Sequence, residues 1–130
     1  MAELPLILVV EDNERNRRLV EMVLQRDYRL AFAEDGEQAL TMVGELEVDL
    51  VLLDIQIPKI DGTEVARRLK SDAATKSIPV VALTSFAMEA DRRRILDAGC
   101  DGYVTKPFET RSLATEVRRY LDGSDGGRHG

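Results

Sequence analysis

Three unbroken apolar runs punctuate the chain: Leu6–Val10, Leu50–Leu53 and Val80–Leu83. A run with no polar alternation reads as a strand covered on both faces, as in a parallel sheet. Tyr28–Ala33 alternates, with Tyr28, Leu30 and Phe32 on one side, which predicts an edge strand. Gly102–Thr105 is short and predicts the opposite edge. Between these runs, apolar residues recur at helical spacing. Val20, Val23 and Leu24 do so within Glu14–Gln25, Ala39, Leu40 and Val43 after Asp35, and Val65, Ala66 and Leu69 after Asp61. Asp35 with Gln38, and Asp61 with Glu64, have the spacing of helix-starting caps. The cleanest stripe is the last, Leu113, Ala114, Val117, Tyr120 and Leu121, on a helix expected over about Thr110–Leu121. Met88–Ala98 is different. Its middle reads Asp91-Arg92-Arg93-Arg94, leaving a thin apolar face, so this helix is expected to be weakly held and able to move.

Five strands alternating with five helices define an α/β fold, with a parallel sheet, helices on both faces and right-handed crossovers. The 130 residues suit one domain, expected over 1–121, with the glycine-rich stretch 122–130 a disordered tail. His129, the only histidine, lies in that tail and carries no functional weight. A composition of 44% apolar and 32% charged residues is an ordinary soluble mixture. The net charge of −6 argues against nucleic acid, whose phosphates need a basic face. No apolar run approaches the roughly 18 residues that cross a bilayer, and Met-Ala-Glu-Leu-Pro is not the start of a signal peptide. A single cysteine, Cys100, excludes an internal disulfide and reads as a small buried filler. A cytoplasmic protein binding neither nucleic acid nor membrane is therefore expected.

Candidate chemistry gathers where the strands end. Glu11 and Asp12 follow the first strand, Asp54 closes the third, Thr84 closes the fourth, and Lys106 follows the fifth. In an open parallel sheet all these ends lie on one edge, where ligands bind at the switch in strand order. Three carboxylates brought together repel one another. A hard divalent cation relieves that repulsion, and Mg²⁺ suits a site of carboxylates, carbonyls and water. With Lys106 as a second positive point and Thr84 as a hydroxyl donor, the set matches the needs of phosphoryl transfer. Asp54 is the candidate nucleophile, since carboxylates form acyl phosphates. Each residue alone is commonplace at a strand or helix end; the set is what points to chemistry.

The same residues carry a family resemblance. Val9-Val10-Glu11-Asp12-Asn13, Asp49 through Pro58, Asp61-Gly62, Val81-Ala82-Leu83-Thr84-Ser85 and Gly99 through Phe108 together resemble a response-regulator receiver domain over Leu6 to Leu121. The resemblance implies a flavodoxin-like three-layer sandwich of five βα units, with strand order 2-1-3-4-5. It implies that Asp54 accepts a phosphoryl group from a histidine kinase or histidine phosphotransfer protein. It also implies that Asp12, Asp54 and the backbone carbonyl of Gln56 bind Mg²⁺, with Glu11 acting through water. Lys106 would pair with the phosphoryl group, Thr84 would be the switch hydroxyl and Tyr103 the switch aromatic. The face made by the fourth helix, fifth strand and fifth helix, Arg92 and Tyr103 included, would meet a downstream protein not legible here. Asn13 and Arg17, with Arg15 and Asn16, are by analogy a kinase dock, or else a solvated helix face. A cis bond between Lys106 and Pro107 is implied as well. Narrower similarity, in Asp54–Pro58 and Thr84–Met88, is to single-domain regulators of cell cycle and polarity.

Ser85 departs from the alanine usual in the family. Phe86 either shields the phosphoryl group from water, lengthening its life, or merely packs. A haloacid-dehalogenase-type enzyme would need a second Asp two residues past the nucleophile, where Gln56 stands. A nucleotide-binding module would need a glycine-rich loop after the first strand, where Glu11-Asp12-Asn13 would repel phosphate. A phosphate sink that drains a kinase remains open beside an adaptor that binds a target.

Overall fold

The structure, a computed structural model, describes residues 3–85, 89–107 and 109–129, with side chains as far as Leu121. Strands β1 (Leu6–Val10), β2 (Arg29–Ala33), β3 (Leu50–Asp54), β4 (Val80–Thr84) and β5 (Gly102–Thr105) alternate with five helices. These are α1 (Glu14–Leu24), α2 (Gly36–Glu45), α3 (Gly62–Ser71), α4 (Glu89–Asp97) and α5 (Thr110–His129). All strand pairs are parallel, and the sheet order is β2-β1-β3-β4-β5. The three unbroken apolar runs are the three central strands, buried along their whole length, and the two expected edges are the edges.

Successive side chains of a strand point to opposite faces, so each central strand feeds two cores. Leu8, Val10, Val51, Leu53 and Ala82 pack with Ala39 and Val43 of α2, Val65, Ala66 and Leu69 of α3, and Ile95 of α4. Ile7, Val9, Leu50, Leu52, Val81 and Leu83 pack with Val20 and Leu24 of α1 and Leu113, Val117 and Leu121 of α5. The result is the three-layer sandwich expected.

Helix starts follow the capping chemistry with one change. Asp35 accepts from the N–H of Gln38, as its spacing predicts. Asp61 accepts from the N–H and hydroxyl of Thr63, while Glu64 turns instead to Arg67 and Arg68. The helical backbone of α5 runs on to His129, where a disordered tail from residue 122 is expected; Leu121 is the last described side chain of its buried stripe.

Candidate functional site

The chain leaves β1 towards one edge of the sheet and β3 towards the other, so a crevice opens at their carboxyl ends. Glu11 is held there by its own N–H, which donates to the carbonyl of Ala33 on β2. Its carboxylate is buried. Oε2 accepts from the N–H of Asn13 at 3.1 Å, and Oε1 accepts from Nζ of Lys106 at 2.7 Å. Asp54, also buried, accepts from Lys106 Nζ at 2.8 Å through Oδ2 and from the Gln56 N–H at 2.9 Å through Oδ1. Asp12 is exposed, and one carboxylate oxygen from each of Glu11, Asp12 and Asp54 lies within 4.8 Å of the others. Lys106 reaches them because its N–H bonds the carbonyl of Thr84, carrying the chain from β5 over the end of β4. Its peptide bond to Pro107 is cis, as the resemblance implies. Thr84 is buried at the end of β4, one residue past Leu83, the register partner of Asp54 on β3.

Gly62 completes the frame. Its N–H donates to the carbonyl of Ile55, and a Cβ at this position would lie 2.6 Å from Ile55 Cα and 2.7 Å from the Asp54 carbonyl. Only glycine lets the start of α3 press against the strand that carries Asp54.

Three carboxylates face one ammonium. Burial raises the Glu11 pKa above the ordinary glutamate value; the bond from Lys106 opposes this and the Asp54 charge reinforces it. Burial acts against the charge on Lys106, but the bonds to Asp54 and Glu11 outweigh it and the ammonium is held more tightly than usual. The remaining negative charge, hard oxygen donors and an exposed third carboxylate suit a small divalent cation.

Two residues expected at a kinase dock have internal work. Asn13 caps α1, its Oδ1 accepting from the Asn16 N–H at 3.0 Å. Arg17 Nη1 donates to the Glu11 carbonyl at 2.9 Å, steadying the loop that holds the acids. Gln56 presents its N–H to Asp54. Tyr103 is half-buried, with the guanidinium of Arg92 5.5 Å from its ring centroid. Phe86, with Ala87, Met88 and Phe108, lies outside the described residues. A second polar centre that the sequence did not signal sits at the opposite edge of the sheet. There Lys70 Nζ donates to Asp101 Oδ2 at 2.8 Å and to the carbonyls of Ile78 and Lys76.

An open parallel sheet with acids at the β1–β3 switch and a lysine from beyond β5 makes a crevice suited to a divalent cation and an anionic group beside it. The comparisons with known proteins agree. The family model described as the response regulator receiver domain matches residues 7–118. The Polar-differentiation response regulator DivK of Brucella ovis is 37% identical over 116 residues, which cover 88% of this chain and 94% of that protein. A putative response regulator from Chloroflexus aurantiacus superposes with a TM-score of 0.88 at 28% identity, over 92% of this chain and 99% of the other. The receiver domain of the sensor histidine kinase PA1611 of Pseudomonas aeruginosa, with magnesium coordinated in its active-site cleft, gives 0.85 at 31% identity, over 92% and 99%. The chain belongs to the response regulator receiver domain family. It is a two-component signalling regulator. Among the described residues, no helix is long and apolar enough to cross a membrane.

Proposed function

We propose that Asp54 accepts a phosphoryl group from a phosphohistidine of a kinase or phosphotransfer protein, and that this rearranges the α4–β5–α5 face for contact with a downstream protein. The observation that carries the reading is Lys106 Nζ lying 2.8 Å from Asp54 and 2.7 Å from Glu11, beside three carboxylates within 4.8 Å. Asp54, Asp12 and the Gln56 carbonyl would hold Mg²⁺, with Glu11 behind them through water. The magnesium in the Pseudomonas relative supports this. Bound there, Mg²⁺ supplies charge neutralisation for phosphoryl oxygens.

In the transfer, a carboxylate oxygen of Asp54 bonds to phosphorus as the bond from phosphorus to the donor histidine breaks. Lys106 is already aimed at Asp54, so it meets the new charge without reorganising. Thr84, buried on the next strand, is the hydroxyl that turns towards the phosphoryl group. Charge-assisted bonds are worth about 1.5–3 kcal/mol each. Reversing a 1:99 equilibrium takes about 5.5 kcal/mol, so two or three such bonds suffice. Tyr103 then moves and reshapes the face. We read residues 1–121 as this domain, acting in the cytoplasm and in the polarity-control group to which the Brucella relative belongs by name.

Acetyl phosphate with Mg²⁺ should add one phosphoryl mass to the wild type by intact mass spectrometry. Asp54→Asn should abolish the addition, and Lys106→Ala should retain it while losing the change at Tyr103. Labelling that persists in Asp54→Asn would overturn the assignment. Capture of a protein only by beryllofluoride-loaded chain would establish contact output; capture of none would make the domain a sink.

A further inference from the structure

We propose that Arg92 is a latch: while Asp54 is unmodified, its guanidinium holds the Tyr103 ring at the surface, and breaking this stack releases α4 when Asp54 is phosphorylated. The inference rests on the tyrosine-switch reading and names the residue that sets its resting position.

α3 and α4 are of nearly equal length, yet α3 buries five residues and α4 only Ile95. Beyond Ile95, the hold on α4 described by the structure is concentrated at its C-terminal end. The C-terminal end is pinned. Gly99, at φ +104, closes the helix with its N–H on the Leu96 carbonyl, and the Cys100 N–H reaches back to Ile95. Asp101 follows, its N–H on the Val80 carbonyl and its carboxylate taking both the Val80 N–H and Lys70 Nζ. The Tyr120 hydroxyl bonds its carbonyl at 2.6 Å. Movement of α4 is therefore cheapest away from that pinned end, towards Arg92, whose guanidinium stacks on Tyr103 of the neighbouring strand.

The ring can be moved. Tyr103 borders two surface cavities, of about 440 and 360 Å³, so much of its edge faces open space. Surface cation–π contacts shift an equilibrium by a factor of about two to five. Phosphorylation that draws the ring inward must break this contact. By linkage, the contact opposes binding of a phosphoryl mimic by the same factor.

The test is titration of beryllofluoride with Mg²⁺ into the full chain, followed by the tyrosine ring NMR signals and with Tyr103→Phe for assignment. Arg92→Ala should bind the mimic about two to five times more tightly, with its Tyr103 signal displaced towards the bound position beforehand. Arg92→Lys should lie between. Arg93→Ala, which loses the same charge from a pair with Glu89 at 3.9 Å, should bind no more tightly than wild type. Loss of positive charge alone would weaken binding of an anion, so the sign separates a latch from a field effect. If the wild-type Tyr103 signal moves and Arg92→Ala binds no more tightly, the latch falls alone. If wild type fails to bind the mimic, or binds it with Tyr103 unmoved, the switch reading falls and takes the latch with it.

Discussion

The two edges of the sheet are built from the same parts and behave oppositely. At each, a lysine from a distant segment bonds an aspartate: Lys106 with Asp54 at the carboxyl edge, and Lys70 with Asp101 at the amino edge. Lys70 has one carboxylate and two backbone carbonyls, and its aspartate also accepts a backbone N–H. Charge and hydrogen bonds balance there. Lys106 faces two buried carboxylates, and a third, that of Asp12, lies within 4.8 Å of those two. Charge does not balance there. A satisfied centre fixes structure, whereas a centre left with excess charge is stabilised by whatever brings the opposite charge to it. The surplus, rather than the lysine–aspartate contact, marks the functional edge.

That contrast is sharpest in stability. Asp101→Ala should cost about 3 kcal/mol in urea unfolding, because it strands the Val80 N–H in a buried strand and removes the carboxylate partner of Lys70. Next in size, Mg²⁺ at about ten times its dissociation constant should stabilise the wild type by about 1.4 kcal/mol, and Asp54→Asn should lose most of that gain. In metal-free buffer Asp54→Asn should itself raise stability by about 1 kcal/mol through relief of like-charge repulsion. If Asp54→Asn and Asp101→Ala destabilise equally, the two edges are not different in kind.

The carboxyl edge was legible because each of its residues terminates an apolar run, and run ends in a parallel sheet fall on one side. Glu11, Asp12, Asp54, Thr84 and Lys106 could therefore be grouped before any coordinate was known. Lys70 could not. It lies 31 residues from Asp101, at the end of α3, where a lysine reads as a solvated helix terminus. Its meeting with Asp101 depends on how far the α3–β4 loop returns beneath the sheet, which no periodicity encodes. The bond from Arg17 to the Glu11 carbonyl and the stack of Arg92 on Tyr103 were hidden for the same reason, since side-chain partners across elements need register as well as order. Gly62 was visible as a motif letter, but its purpose, close approach to Ile55, appears only in three dimensions.

Cys100 gives the smallest and most local probe of the balanced edge. Burial, reinforced by the Asp101 charge and opposed by Lys70, pushes its thiol up to about 12. The folded state thus keeps this proton where the unfolded chain, with an ordinary value of 9.0, gives it up. The native state binds more protons in that window, so stability is full below pH 9.0 and falls as pH rises towards about 12. Cys100→Ala should flatten the alkaline part of the urea-midpoint curve relative to wild type, and the native thiol should resist iodoacetamide at pH 8.5 until urea unfolds the chain. Prompt alkylation of the folded protein would mean that the segment between α4 and β5 opens readily, and that the amino edge is not rigid.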